Sequence, residues 1–142
     1  YNLITAFDLL EHLEKSEAVK FLKLVRNALQ DDGSLILHLP NASAPRGMHF
    51  QSSDMTHEQF YSPDSVTQAL KLCGFSDISF KEVKPVGTGI SIGSIPLNPK
   101  VWLNKLSWKL IRSAYRFRDY SEGYKQEIYT RNMLAVAKKI ND

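Results

Sequence analysis

Apolar positions along the chain follow two rhythms. Leu3-Ile4-Thr5-Ala6-Phe7 is a short, uninterrupted apolar and β-branched run, the signature of a buried strand. From Ser16 to Gln30, Ala18, Phe21, Leu22, Val25, Ala28 and Leu29 recur at helical spacing, with Lys20, Lys23 and Arg26 opposite, which predicts an amphipathic helix. Asp31-Asp32-Gly33 ends it, with Gly33 supplying the left-handed cap conformation. Leu35 to Leu39 is a second strand, stopped by Pro40-Asn41. Two strands apolar on both faces around a helix predict a parallel sheet covered on each side.

Ala42 to Tyr61 is polar and without period, a long loop of the kind that carries function. Ser62-Pro63-Asp64 then opens a helix, with Ser as N-cap and Pro in the first turn. Val66, Ala69, Leu70 and Cys73 form its apolar face, and Gly74 closes it. Ile78 to Val86 alternates as a strand, with Ile78 and Phe80 on one face. Gly87 to Pro99 holds three Gly and two Pro and is predicted as loop. Lys100 to Arg118 is a third helix, and Ile128 to Lys138 a final strand.

A length of 142 residues with 43% hydrophobic and 23% charged residues suits one domain with a real core. The single cysteine, Cys73, sits on a helix face as a core residue; it excludes an internal disulfide and a cysteine-based metal site. A cytoplasmic location is expected. No apolar run reaches membrane-spanning length, and the opening Tyr-Asn-Leu-Ile has no signal-peptide character; it reads as beginning inside a strand. The net charge of +3 is local: six basic residues and no acidic one lie between Lys100 and Arg118, and the rest of the chain is net negative.

Several segments carry a family resemblance. Asn2 to Leu13, with Phe7-Asp8 and Glu11-His12, resembles the fourth strand and following turn of class I S-adenosylmethionine-dependent methyltransferases. Leu29 to Asn41 resembles the crossing into their fifth strand, Thr56 to Val66 with Cys73-Gly74-Phe75 is similar to the segment after it, and Asn132 to Lys138 looks like their last, antiparallel strand. Asn2 stands where the family usually has Asp, and Asp32-Gly33 where Gly-Gly is common. The resemblance covers residues 1–86 and 125–140 and implies an α/β fold: the C-terminal half of a Rossmann-like methyltransferase, parallel strands ending in an antiparallel pair. It divides residues 1–142, a partial methyltransferase domain, into that core and a loop with a basic helical insertion at 87–124. It also implies that the glycine-rich loop and the ribose-binding acid, the main grip on S-adenosylmethionine, are not in this sequence, so the chain alone is expected to bind the cofactor weakly and to be inactive. With the preceding half absent, the strand at 1–7 has an unpaired edge, and self-association is expected.

In an open α/β sheet the site lies beyond the carboxyl ends of the strands, which singles out Ala6, Phe7, Asp8 and Leu9 as cofactor-binding residues. The resemblance to ubiquinone-pathway and small-RNA methyltransferases implies a divalent metal on Asp8, Glu11, His12 and His57, suited to Mg, Mn or Zn. The same residues fit a metal-free reading in which Glu11 caps or pairs locally and His12 is a general base or merely packed; the candidate catalytic residues are His12 and His57. His38, within a strand, is expected to be a satisfied buried histidine, and His49 lies in the loop as a candidate substrate contact.

Lys105, Lys109, Arg112 and Arg116 are spaced four, three and four apart and form one stripe beside Leu103, Leu106, Leu110, Ala114 and Phe117. The stripe is either a solvated face of a covering helix or a surface for anionic lipid headgroups or a lipid-linked substrate, making the protein peripheral to the membrane. Nucleic acid is the least favoured partner, because aromatics alternate with leucines as a packing face does. The activity expected is O-methylation of a small-molecule, lipid-linked or glycan acceptor; the alternatives are an inactive binding module of the same fold and an RNA methyltransferase.

Overall fold

The computed structural model describes residues 1–83, 91–92, 95–96, 99–123 and 127–139. The chain divides into two compact units, one of Tyr1–Val83 with Ile128–Asp142, the other of Lys84–Glu127.

In the first unit, β1 (Leu3–Phe7), β2 (Ser34–Pro40), β3 (Phe75–Glu82) and β6 (Asn132–Lys139) form one sheet in the order β1-β2-β6-β3. β1 and β2 are parallel, while β6 runs antiparallel to both of its neighbours, β2 and β3. The connection from β1 to β2 is α1 (Lys15–Ala28); α3 (Pro63–Leu72) precedes β3. Ala18, Leu22 and Val25 of α1, Val66 and Leu70 of α3, and Leu35, Leu37 and Leu39 of β2 close the core with Met133, Ala135 and Ala137 of β6. This is the α/β architecture the motifs imply, with the antiparallel pair at the end of the sheet.

Several expectations change. β1 is not buried on both faces: Ile4 and Ala6 meet the core, but Leu3 and Phe7 are 52% and 60% exposed. Among the described residues only β2 pairs with it, so one face and one edge of an apolar strand stay open. The left-handed residue before β2 is Asp32 (φ 60°), not Gly33. Gly33 is required for space, since a Cβ there would lie 2.7 Å from the Gln30 carbonyl oxygen. The segment after β2 is not all loop: α2 (Gly47–Gln51) forms within it. A Cβ on Gly47 would run into the Asn41 carbonyl oxygen, so only glycine lets this turn lie against the end of β2. β3 begins three residues earlier than the alternation predicts, because Gly74 (φ 82°) turns the chain directly from α3 into the sheet. Asp77 (φ 50°), inside a break of register between Ser76 and Ser79, hides the period at that end. β6 starts at Asn132; Ile128, Tyr129 and Thr130 are buried but outside the ladder.

The second unit contains α4 (Pro99–Ser121) and two short strands, β4 (Ser91–Ile92) and β5 (Ile95–Pro96), paired antiparallel. The loop predicted over 87–99 lies mostly outside the described residues, as does the predicted end of the strand at 84–86. No described helix is long and apolar enough to cross a membrane.

A candidate active site after the first strand

β1 and β2 are parallel, so Phe7 and Pro40-Asn41 emerge at the same end of the sheet. Asp8 follows β1 with φ 46°, a left-handed conformation that Asp tolerates better than most residues. Its amide donates to the His38 carbonyl, and its Oδ1 lies 2.8 Å from His38 Nδ1. His38 is therefore partnered, as expected, but half-buried. Phe7 and Leu9 expose apolar surface, while the Ala6 methyl belongs to the core.

A 3-10 turn over Leu10–His12 then places Glu11 and His12. Glu11 is 1% exposed, and its main-chain carbonyl accepts from the amides of Glu58 at 2.8 Å and Gln59 at 3.1 Å. These bonds tie the turn after β1 to the loop after α2, bringing His57 to it from a distant part of the sequence. Ligand atoms of Glu11, His12 and His57 lie within 4.8 Å of one another, and the two imidazole centroids are 4.8 Å apart. Asp8, which the resemblance places in the same ligand set, is not in this group; its carboxylate is drawn instead to His38 across the ends of the strand pair. His49 is exposed and packs edge-on against Phe50, away from any such grouping.

Hydrogen bonds at the two Nδ1 atoms orient both rings. His12 Nδ1 lies 3.1 Å from the Thr56 carbonyl, and His57 Nδ1 3.0 Å from the Gln51 carbonyl. Thr56 Oγ1 is also 3.1 Å from His12 Nδ1 but gives its proton to Asp54 Oδ1 at 2.6 Å. Each Nδ1 therefore donates to its carbonyl, leaving Nε2 as the lone-pair nitrogen of a neutral His12, while His57 Nε2 lies 3.8 Å from Asp54 Oδ2. A backbone carbonyl on the far nitrogen is how proteins orient metal-binding and proton-accepting histidines alike. Asp54 holds the loop in shape: its Oδ1 accepts from the Thr56 amide and hydroxyl, which hold its carboxyl below the usual range. These supporting carbonyls were invisible in the sequence, since every residue has one.

Burial pushes the Glu11 carboxyl up, assisted by the Asp8 charge, against smaller opposing effects that include the two histidines. Its Oε2 is buried without a hydrogen-bond partner, as are both polar side-chain atoms of Gln51. Tyr61, buried and near the Glu11 charge, is pushed up to about 12 and stays a phenol. A carboxyl that is raised in the folded state contributes stability that is full below its unfolded value and lost as pH rises through the folded one. Glu11→Gln is therefore expected to raise the melting temperature of the metal-free protein at neutral pH, with the gain vanishing in acid. A melting temperature that falls equally at all pH values is inconsistent with this environment for Glu11.

A buried carboxylate oxygen without a partner, set beside two imidazoles, suits a divalent cation: one oxygen and two ring nitrogens are donors for Mg, Mn or Zn.

The family model described as "Methyltransferase domain" matches residues 1–79, which include the strand, the turn and both histidines. The chain belongs to the methyltransferase-domain family. No curated protein matches the sequence. Among solved structures, a SAM-dependent methyltransferase from Archaeoglobus fulgidus is 15% identical with a TM-score of 0.62, over 97% of this chain and 59% of that one. An O-methyltransferase family protein from Burkholderia thailandensis is 10% identical with a TM-score of 0.55, over 99% of this chain and 30% of that one. The small RNA methyltransferase HEN1 is 15% identical with a TM-score of 0.52, over 96% of this chain and 14% of that one. At these identities the likeness is one of fold, and this methyltransferase domain spans at most 59% of the length of any of the three.

Proposed function

We propose that the intact protein transfers a methyl group from S-adenosylmethionine to an oxygen of a small-molecule, lipid-linked or glycan acceptor, with Glu11, His12 and His57 on the acceptor side. The observation that carries this reading is the grouping of a buried carboxyl, one oxygen of which has no hydrogen-bond partner, with two imidazoles oriented by backbone carbonyls. Methyl transfer is an in-line displacement in which the protein mainly aligns the reactants. Bound S-adenosylmethionine supplies the electrophilic methyl group. Phe7 and Leu9, exposed and apolar at the carboxyl end of β1, are suited to cover its apolar parts.

An alcohol is a poor nucleophile until its proton leaves. His12 Nε2, a lone-pair nitrogen in the neutral ring, accepts that proton, and the Thr56 carbonyl on Nδ1 stabilises the resulting imidazolium. His57, held by the Gln51 carbonyl, and the Glu11 carboxylate orient the acceptor hydroxyl or hold a divalent ion. Such an ion, when bound, supplies Lewis-acid polarisation of the acceptor oxygen.

Calorimetric titration of the intact protein with S-adenosylmethionine tests the reading. Saturable binding is expected, and Mg or Mn is expected to raise the melting temperature of the unmodified protein but not of Glu11→Gln. Absence of cofactor binding leaves a non-enzymatic module of the same fold. Cofactor binding with no metal-dependent shift leaves His12 as a direct base.

A further inference from the structure

The helix α4 presents a face that methyl transfer does not use. Val101, Trp108 and Tyr115, seven residues apart, are half-buried, and Asp119 on the same side is buried. Turned about half a revolution from that line, Leu103, Leu106, Leu110 and Phe117 form a continuous row. Their exposures are 65%, 56%, 63% and 75%. The row is the exposed side of the helix.

Charge frames this row. Lys105, Lys109 and Arg116 run along one flank and are exposed, and Lys100 and Arg118 lie on the other. A shallow recess between stripe and row is lined by Lys109, Arg112, Arg116, Phe117 and Tyr120, with cations on one wall and aromatic rings on the other. No acidic residue interrupts residues 100–118. At 23 residues the helix extends about 35 Å.

From this arrangement we infer that α4 lies in the plane of an anionic lipid surface. The apolar row enters the acyl boundary, and the flanking lysines and arginines reach up to headgroup phosphates. This interface is independent of the methyl-transfer reading. A helix lying at a bilayer interface needs an apolar centre and cationic margins, because its middle meets hydrocarbon while its long basic side chains bend outward to the phosphates. Nucleic acid calls for the reverse order, with cations at the centre of the contact. The remainder of the chain is net negative, so the attraction is confined to this helix.

The test is co-sedimentation of the intact protein with vesicles of phosphatidylcholine alone, or mixed with an equal amount of phosphatidylserine. Binding to the anionic vesicles that weakens with added salt is expected. Each basic residue near an anionic surface strengthens partitioning about fivefold. Replacing Lys105, Lys109 and Arg116 together by Gln is therefore expected to weaken it on the order of a hundredfold. Leu106→Ser, Leu110→Ser and Phe117→Ser in one protein should abolish binding even at low salt. Circular dichroism establishes that each variant is folded. Trp102 is 53% exposed whereas Trp108 lies on the half-buried line, so quenching of Trp102 emission by brominated phospholipid reads insertion in the unmodified protein without any substitution. The inference is overturned if the unmodified protein ignores anionic vesicles at low salt, if the Gln variant binds as well as the unmodified protein, or if bound protein shows no quenching. It is equally overturned if the protein binds RNA but not vesicles.

Discussion

Replacing His12 by alanine in the intact protein is expected to lower turnover on the order of a hundred- to ten-thousandfold, the usual contribution of a positioned proton acceptor. Affinity for S-adenosylmethionine should stay at the unmodified value. The two quantities separate if His12, on the turn after β1 with its ring held by Thr56 and beside His57, takes the acceptor proton as proposed. Single-turnover kinetics with cofactor binding measured in parallel reads both. If a chelator leaves the unmodified enzyme fully active while His12→Ala abolishes turnover, the imidazole acts alone as base. If chelation removes activity and Mn restores it only to the unmodified protein, His12 acts as a ligand. Unmodified turnover in His12→Ala eliminates both roles and leaves His12 as a packed side chain.

The second large effect concerns the fold around the site. Asn41 is fully buried at the end of β2. Its Nδ2 donates to the carbonyls of Ile128 and Thr130 at 3.0 and 3.2 Å, and its Oδ1 accepts from the Ser43 amide at 3.0 Å. It joins three segments of the chain: the end of β2, the start of the loop that carries His57, and the segment leading into β6. Asn41→Ala removes all three bonds where water does not reach. It is expected to destabilise by about 3 kcal/mol, since each buried bond lost costs roughly 1–3 kcal/mol and relaxation recovers part. Urea denaturation followed by far-ultraviolet circular dichroism measures it. Asn41→Asp is the sharper control, because it keeps the acceptor but turns a carboxylate oxygen toward two carbonyls. It should be at least as destabilising at neutral pH and partly recover in acid, where the protonated carboxyl donates again. A loss below about 0.5 kcal/mol for Asn41→Ala, the scale of an ordinary surface substitution, excludes the buried clasp.

Much of the fold was legible because its determinants are local. The helix at Pro63–Leu72 begins where Ser62-Pro63 places it: the Ser62 hydroxyl accepts from the Ser65 amide, and the Ser65 hydroxyl accepts from the Ser62 amide. β2 ends at Pro40, at the Pro-Asn stop. Boundaries moved where the backbone leaves its period, as at Asp77 in β3, or where a short helix such as α2 carries too few residues to show one. Apolarity of β1 gave its conformation but not its environment, since burial depends on which neighbours a strand has.

The candidate site divides in the same way. Glu11-His12 and His57 were legible as residues with suitable chemistry, and the family motif put them in one chain order. Their approach to within 4.8 Å depends on Glu58 and Gln59 amides reaching the Glu11 carbonyl, a contact between backbone atoms that no residue type encodes. The diversion of Asp8 to His38 likewise required the register Phe7↔His38 of a parallel strand pair. Sequence alone determined the family, the order of the main elements and the basic stripe of α4, because those follow from periodicity, turn chemistry and composition. Only the tertiary structure decided which carbonyls orient the two histidines, which Glu11 oxygen stays without a partner, and which face of α4 is exposed. Those are set by atoms brought together from distant parts of the chain, and distance along the sequence carries no record of them.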